Sequence, residues 1–182
     1  DNEVVVSTAF KGAALSDRAV WRRADGPGTY RVLAGQLGVR QTSAGLYGSD
    51  NFFRGGEGTL LNPPVRRNPP PPKVVQGAAD QQMYLAYRSG RFSYELPLPD
   101  GDYELTLRFV EPVDKQAVGQ RVFDVLVQGS VALADLDIAA QAGSMRALER
   151  SVPLRVSGGQ ARIDFIPKAG TAILSSFSID PR

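Results

Sequence analysis

The sequence predicts an all-β domain, an antiparallel sandwich or barrel, on two observations. In the second half of the chain, apolar residues recur at every second position in short runs, the period of a strand with one buried face. Turn residues separate these runs at intervals of about 8 to 12 residues, which is typical of sandwiches and barrels. Only residues 139–150 have helical potential, and Gly143 limits that helix to a turn or two.

The first predicted element is a hairpin. A β-branched run at residues 4–8 is followed by a second run at residues 17–22, and both favour strands. The Asp25-Gly26-Pro27-Gly28 segment then interrupts the chain, because Gly and Pro together end regular structure. We therefore predict a terminal hairpin over residues 1–28 and the main domain over residues 29–182.

The middle of the chain is rich in turns. Residues 30–58 contain short apolar bursts between glycines, and this pattern predicts one or two strands among loops. The Gly55-Gly56-Glu57-Gly58 stretch lacks the Lys-Ser/Thr of a phosphate loop, so we interpret it as a backbone crossing. Six of the 13 prolines lie in residues 63–72, which predicts a polyproline II surface loop, with a ligand for a proline-binding domain as the alternative.

The clearest strands follow. Apolar residues alternate over residues 92–96 and again over 103–109, with Asp100-Gly101 between them, so we predict an antiparallel, half-buried pair joined by that turn. Five further strands are predicted at residues 122–127, 131–138, 152–156, 161–165 and 173–179.

The composition excludes several kinds of chemistry. The 182 residues contain no His and no Cys, which rules out a Ser-His-Asp triad, a Cys nucleophile, His/Cys zinc sites and disulfides. A net charge of +2 with dispersed cations does not suggest a nucleic-acid partner. The apolar runs fall short of the roughly 18 residues that cross a bilayer, so no membrane partner is predicted. No metal site is predicted either; the cofactor left open is a structural calcium on scattered loop carboxylates.

Paired carboxylates were considered as catalysts because they can hydrolyse sugars without His. Asp135 and Asp137 lie two apart in a predicted strand and would share one face. A solvated strand edge explains that spacing equally well. We therefore predict no catalytic residue, and an independent hydrolase is the least favoured hypothesis.

The aromatic residues outside the alternating strands suggest binding. Tyr47, Phe52 and Phe53 lie in a Gly-rich stretch, and Tyr84 and Tyr87 precede a strand. Exposed rings stack on the apolar C–H faces of sugars, while neighbouring polar groups contact the hydroxyls. The alternative is that these rings close the ends of the sandwich.

One stretch of motifs resembles a known family. The motifs, in chain order, are Phe92-Ser93-Tyr94-Glu95-Leu96-Pro97, Asp100-Gly101-Asp102-Tyr103, Leu107-Arg108-Phe109-Val110-Glu111, Gly119-Gln120-Arg121-Val122-Phe123-Asp124-Val125 and Asp135-Leu136-Asp137. Their order and spacing resemble the malectin domain, a family that includes bacterial carbohydrate-binding modules of family fifty-seven. The resemblance covers about residues 30–179 and implies a β-sandwich of jelly-roll type that binds carbohydrate without catalysis.

The placement of the aromatic residues and the resemblance together predict the site residues. The stretch Gly45-x-Tyr47-x-x-Asp50-x-Phe52-Phe53-x-Gly55-Gly56 is similar to the bacterial branch of the family. The predicted carbohydrate-binding residues are the rings of Tyr47, Phe52, Tyr84 and Tyr87 and the polar groups of Asp50, Arg88 and Glu111. The family's adjacent Tyr-Phe pair falls at Pro112-Val113 and its late Asp near Ala169-Gly170, so the sugar specificity of malectin itself is not expected here.

The opening hairpin resembles the last two strands of the immunoglobulin-like domain that precedes such modules in family-two glycoside hydrolases of the β-galactosidase kind. This resemblance implies an accessory domain, not an enzyme by itself, from a secreted or periplasmic bacterial glycoside hydrolase. Its predicted partners are an oligo- or polysaccharide and the catalytic domain of the parent chain. The alternative is a structural module that has lost its sugar site and braces the catalytic domain or a dimer.

Overall fold

A computed structural model describes residues 28–63 and 71–182 fully, together with the backbone of β1 (Asn2–Phe10) and β2 (Ala13–Trp21). These two strands pair antiparallel, with Asn2 opposite Trp21, which confirms the predicted hairpin. The boundary predicted at residues 25–28 lies largely outside the described residues, as do residues 64–70 of the proline-rich segment. The domain division and the polyproline conformation of that segment therefore stay predictions.

The described main domain is almost entirely β-structure. In chain order its strands are β3 (Tyr30–Leu33), β4 (Arg40–Thr42), β5 (Gly45–Tyr47), β6 (Phe53–Leu60), β7 (Ala86–Pro97), β8 (Gly101–Val110), β9 (Val122–Val127), β10 (Ser130–Leu136), β11 (Ala147–Val156), β12 (Gln160–Ala169), β13 (Ala172–Leu174) and β14 (Ser176–Pro181). A 3₁₀ turn at Gln81–Tyr84 precedes β7, and one helical turn, α1 (Ile138–Gln141), follows β10.

The strands form two main antiparallel sheets. One has the order β10-β9-β12-β7, with β13 continuing along β7 beyond β12 and β6 on the other side of β7. The other has the order β11-β8-β14-β3. The inner faces enclose an aromatic core in which Phe92 stacks on Phe165 at 4.5 Å and Tyr94 meets Phe177 edge-on at 4.8 Å. This arrangement confirms the all-β antiparallel sandwich.

The predicted pairing of the two clearest strands is wrong. β7 pairs with β6, β12 and β13, whereas β8 pairs with β11 and β14, so these neighbours in sequence lie in different sheets. The reason lies in the connection: Leu98 is buried between two prolines, and its N–H donates to Gly159 O at 3.0 Å. Proline favours an extended crossing here over a two-residue turn. Asp100 reinforces the crossing by accepting from Gly159 N at 2.7 Å.

Two other expectations need adjustment. The helical turn or two predicted within residues 139–150 is one turn that begins at Ile138, and β11 begins at Ala147 because Leu148, Val152 and Leu154 alternate into the core. The loop-rich middle holds four short strands instead of one or two. No helix in the described part of the chain combines the length and apolar character needed to cross a membrane.

A second layer covers one end of the β11-β8-β14-β3 sheet. Along β8 the odd-numbered residues Leu107 and Phe109 enter the main core, so Arg108 and Val110 face outward. Val110 packs there in a smaller cluster, which we call the outer cluster. Its buried members are Leu33, Tyr47, Leu61, Val75, Met83, Tyr84 and Val110. This layer holds two of the predicted site residues, Tyr47 and Tyr84.

Candidate functional site

Asp50 and Arg88, two of the predicted sugar contacts, form a buried ion pair. The Asp50 carboxylate accepts from Arg88 Nε at 2.8 Å and lies 2.6 Å from a second Arg88 nitrogen. It also accepts from Gly35 N at 2.6 Å and from Tyr94 OH at 2.7 Å. Burial and the nearby Asp50 charge raise the pKa of Tyr94 well above its usual value, which keeps this hydroxyl a donor.

The guanidinium of Arg88 also finds its hydrogen-bond partners within the domain. Its NH1 donates to Gly55 O at 2.9 Å and to Gly56 O at 3.0 Å, and its guanidinium lies 3.4 Å from the ring centre of Phe53. Only 5% of Arg88 and 6% of Asp50 is exposed. The pair ties β6 and the preceding loop to β7, so the contacts of both residues are made within the domain, and a direct sugar contact by either stays a prediction.

Glu111 has a comparable internal role. It is completely buried, and its two carboxylate oxygens accept from Arg121 Nε at 2.7 Å and from Val113 N at 3.1 Å. Arg121 in turn donates to Thr171 O at 2.9 Å. Glu111 therefore joins the end of β8 to the loops before β9 and β13, and its predicted polar contact with a sugar does not fit this burial.

Tyr47 and Tyr84 are not exposed stacking platforms. Tyr47 is fully buried in the outer cluster, where its hydroxyl accepts from Arg108 NH1 at 3.1 Å. Tyr84 is 3% exposed and lines a cleft beside Arg108. Both tyrosines pack against the outward face of β8, so neither ring presents a face for stacking from solvent.

The remaining predicted rings are accessible. Tyr87 is half-buried and packs against the main core, and its stacking role stays a prediction. Phe52 is 41% exposed, and its neighbour Phe53 is 42% exposed. Phe53 begins the edge strand β6, and Phe52 precedes it with a left-handed backbone, so both rings lie at the edge of the sheet. We call Phe52 and Phe53 the ring pair.

Both rings of the ring pair are held in place. The Tyr30 ring meets Phe52 edge-on with 5.7 Å between centres, and Tyr30 OH donates to Pro97 O. The Phe52 carbonyl accepts from Glu95 N at 2.9 Å, and Phe53 lies against the Arg88 guanidinium. The rings are therefore ordered although exposed.

The carboxylates considered for catalysis serve structural roles. Asp137 is the N-cap of α1 and accepts from Ala140 N at 2.9 Å and Gly119 N at 2.5 Å. Asp135 pairs with Lys168 at 2.7 Å. The two do not line a shared site. Within the described ranges, no three carboxylates come close enough together to hold a metal ion.

Sequence reasoning missed the outward side of β8. Arg108 forms an ion pair with Glu149 at 2.7 Å, and only 10% of its side chain is exposed. The alternation placed Arg108 on the polar face of its strand, a position normally solvated. Nothing local indicates that the segment before β7 folds over it. The adjacent Phe52-Phe53 pair did carry a signal, because it lies in a Gly-rich stretch whose pattern does not assign the rings to a sheet face.

Comparison with known proteins decides the family. The malectin domain model matches residues 30–179. This chain belongs to the malectin domain family. Its fold and the order of its motifs agree with that membership, and the ring pair and the Asp50–Arg88 pair lie inside the matched region.

Curated malectins show the same relationship in sequence. Malectin of Danio rerio is 29% identical over 164 residues, covering 88% of this chain and 52% of that protein. Malectin of Homo sapiens is 34% identical over 95 residues, covering 50% of this chain and 32% of that protein. The malectin domain described here thus spans a third to a half of the length of these relatives.

Solved structures share the fold at lower identity. The β-glucuronidase of Bacteroides uniformis superposes with a TM-score of 0.72 at 16% identity, over 97% of this chain and 22% of that enzyme. The plant receptor-like kinase FER superposes with a TM-score of 0.65 at 13% identity, over 85% of this chain and 42% of that protein. The malectin fold therefore occurs as one region of proteins with different overall activities.

Proposed function

We propose that this chain is a non-catalytic module that binds oligo- or polysaccharide and that the ring pair is its stacking surface. The observation that carries the proposal is the exposure of Phe52 and Phe53, at 41% and 42%. Every other phenylalanine with a described side chain is buried in the core: Phe92, Phe109, Phe123, Phe165 and Phe177. Membership of the malectin domain family supports the ligand class.

The backbone at Phe52 gives independent support. Its φ is +63°, a left-handed conformation that is unusual for a bulky side chain. Such a conformation costs on the order of 1 to 3 kcal/mol and persists where the surroundings fix it, often at binding sites. The Tyr30 contact and the hydrogen bond from Glu95 fix it here. The domain thus sustains an unfavourable backbone state that keeps an apolar ring at the surface.

Polar groups beside the ring pair suit the hydroxyls of a sugar. Arg54 follows the rings with 77% of its side chain exposed, and it pairs with Glu95 at 3.0 Å. Asn51 precedes them, half-buried, with its amide donating to Ser49 Oγ at 2.8 Å. Rings flanked by oriented donors and acceptors are the combination that carbohydrate sites use.

Changing both rings to alanine tests the proposal. The Phe52→Ala/Phe53→Ala variant should weaken binding at least about tenfold, since an aromatic contact contributes about 0.5 to 1.5 kcal/mol beyond its buried area. Isothermal titration calorimetry and affinity electrophoresis with galactans, glucans, xyloglucan and their oligomers provide the measurement. Wild-type affinity should be low, because desolvation of hydroxyls offsets much of the gain.

Val131→Ala is the matched control. Val131 lies on β10, at the opposite edge of the same sheet from β6, and is 56% exposed, so its loss removes exposed apolar surface without touching the rings. Affinity should remain at the wild-type value.

If no saccharide binds the wild type, the bracing alternative gains support, because Asp50, Arg88 and Glu111 already make their contacts within the domain. A bracing module would raise the melting temperature of a larger parent protein without affecting polysaccharide binding.

The proposal extends to the biological setting: a secreted or periplasmic bacterial glycoside hydrolase of the β-galactosidase kind, with the catalytic domain as intramolecular partner. The B. uniformis β-glucuronidase supports this setting, because a region with this fold makes up 22% of that enzyme. The β1–β2 hairpin adds support, because its sequence resembles the end of the domain that precedes such modules in these enzymes and because two strands alone are marginally stable.

The gene itself tests the setting. The reading frame upstream of Asp1 should encode a barrel domain with two catalytic carboxylates, preceded by a secretion signal. An upstream frame that encodes a kinase, a membrane anchor alone or no further domain would contradict the glycoside hydrolase setting. That result would leave the binding proposal to its own experiment.

A further inference from the structure

A cleft of about 410 Å³ opens on the outward face of β8. Its walls come from the loop at Ser43 and Ala44, from the segment between Gly77 and Tyr84, and from Glu149 on β11. Arg108 lies at its base. The cleft contains none of the ring-pair residues, and its lining includes only one of the predicted site residues, Tyr84.

The charge in the cleft is balanced and fixed. Arg108 pairs with Glu149 at 2.7 Å, and its NH1 also donates to Tyr47 OH at 3.1 Å and Ser178 Oγ at 3.4 Å. Glu149 is the more exposed partner, with 54% of its side chain accessible against 10% for Arg108. An anion would have to displace Glu149, and a cation would meet Arg108. The site therefore favours a neutral ligand that can bond to both members of the pair.

Tyr84 adds an available hydroxyl. This hydroxyl hydrogen-bonds to no other residue in the described part of the chain, whereas burial raises the pKa of Tyr84 to about 12. The phenol is therefore protonated at physiological pH and is both a donor and an acceptor. It is not among the fully buried, unpartnered side-chain atoms of the described residues, so it faces the open cleft, where water or a ligand can bond to it. Met83, Ala79 and Ala147 supply apolar contact beside it.

We propose that this cleft is a second binding site, separate from the ring pair, that takes one neutral hexose ring. The volume lies near the lower end of the roughly 300 to 1,000 Å³ of small-ligand pockets and suits a single ring better than a chain. Tyr84, Glu149 and Arg108 bond the ring hydroxyls, and the Met83 and alanine surfaces contact its C–H face. The ligand class rests on the proposed function; the location rests on the cleft alone.

Chemical-shift mapping with simple sugars tests the second site. Titrating ¹⁵N-labelled protein with methyl α- and β-glucosides, galactosides and mannosides should shift the amides of Ala44, Gly77 and Ala147, with saturation in the millimolar range. Tyr84→Phe removes only the hydroxyl and should weaken this binding about fivefold, the value of one hydrogen bond. Tyr103→Phe is the matched control, because it also removes only a phenol hydroxyl and Tyr103 lies outside the cleft, and it should bind like the wild type.

A second variant keeps the test informative if Tyr84→Phe disturbs the structure. Ala79 is exposed, so Ala79→Trp should fill the cleft and abolish the shifts while the melting temperature stays unchanged. The Phe52→Ala/Phe53→Ala variant should show the same chemical-shift changes as the wild type. The second-site proposal would be overturned if both cleft variants bound the sugars as tightly as the wild type does. It would also be overturned if the shifted amides lay around the ring pair and not around the cleft. If the second site failed in this way, loss of polysaccharide binding in the Phe52→Ala/Phe53→Ala variant would still support the proposed function. Failure of the second site and failure of the proposed function are therefore distinguishable.

Discussion

Replacing Asp50 with Asn should lower the free energy of unfolding by about 3 to 5 kcal/mol, the cost of removing one partner from a buried ion pair. The Asp50 carboxylate receives Gly35 N, Tyr94 OH and two nitrogens of Arg88. With the amide, the Arg88 charge stays buried without its counter-charge. In a domain of this size that loss corresponds to a fall in melting temperature of about 6 to 20 °C.

The matched control for Asp50→Asn is Glu104→Gln. Glu104 pairs with Arg182 at 2.8 Å, but both side chains are nearly half exposed, so this change should alter stability by less than about 1 kcal/mol. Urea unfolding monitored by far-UV circular dichroism gives the free energy of unfolding of both variants. Equal midpoints for the two variants would contradict the structural role of the buried pair. Adding Arg88→Met to Asp50→Asn should recover part of the loss, because the uncompensated charge is then gone.

Replacing Gly35 with Ala should cost about 2 to 5 kcal/mol. Gly35 has a φ of +76°, and a Cβ atom there would lie 2.4 Å from the carbonyl oxygen of Tyr87 and 2.8 Å from its carbonyl carbon. The left-handed conformation itself costs about 1 to 2 kcal/mol for a residue with a Cβ. Moving β7 backbone away from the contact adds a strain of about 1 to 3 kcal/mol. The shift would also lengthen the hydrogen bond from Gly35 N to Asp50.

Gly129→Ala separates the two contributions. Gly129 has nearly the same φ, +77°, but a Cβ atom there would meet nothing within 4 Å. This variant should lose only the conformational cost of about 1 to 2 kcal/mol. Thermal and urea denaturation of the two variants in parallel give the difference. If Gly129→Ala proved as destabilising as Gly35→Ala, the close approach of Gly35 to β7 would have no energetic weight.

Strand positions were predictable because half-buried strands leave a period of two in the sequence. Phe92, Tyr94 and Leu96 entered the core as their alternation indicated. Strand partners were less predictable, because pairing depends on the connection. The Asp100-Gly101 signal favoured a hairpin, but Pro97 and Pro99 with the buried Leu98 carry the chain to the other sheet. The short helix was predictable from Gly143, which limits it to a turn or two, whereas the entry of Ala147 and its successors into β11 depends on tertiary packing.

The site was less predictable than the fold. The sequence predicted Asp50 and Arg88 as site residues. The two are separated by 38 positions, so no local pattern indicates that they bond to each other and not to a ligand. Burial of Tyr47 and Tyr84 likewise follows from the outer cluster, a layer formed by segments without regular period. The exposed ring pair, in contrast, lay in the short motif itself, in a Gly-rich stretch where no alternation assigned the rings to the core.

The position of β14 governs the order in which the domain can assemble. β14 lies between β8 and β3, and it joins residues 103–108 to residues 30–33. β3 therefore has no neighbour in its sheet until residues 176–181 have been synthesised, and most ladders of the domain join segments far apart in sequence. Such non-local topology slows folding and leaves apolar strand faces exposed on the nascent chain until residues 176–181 are available to pair.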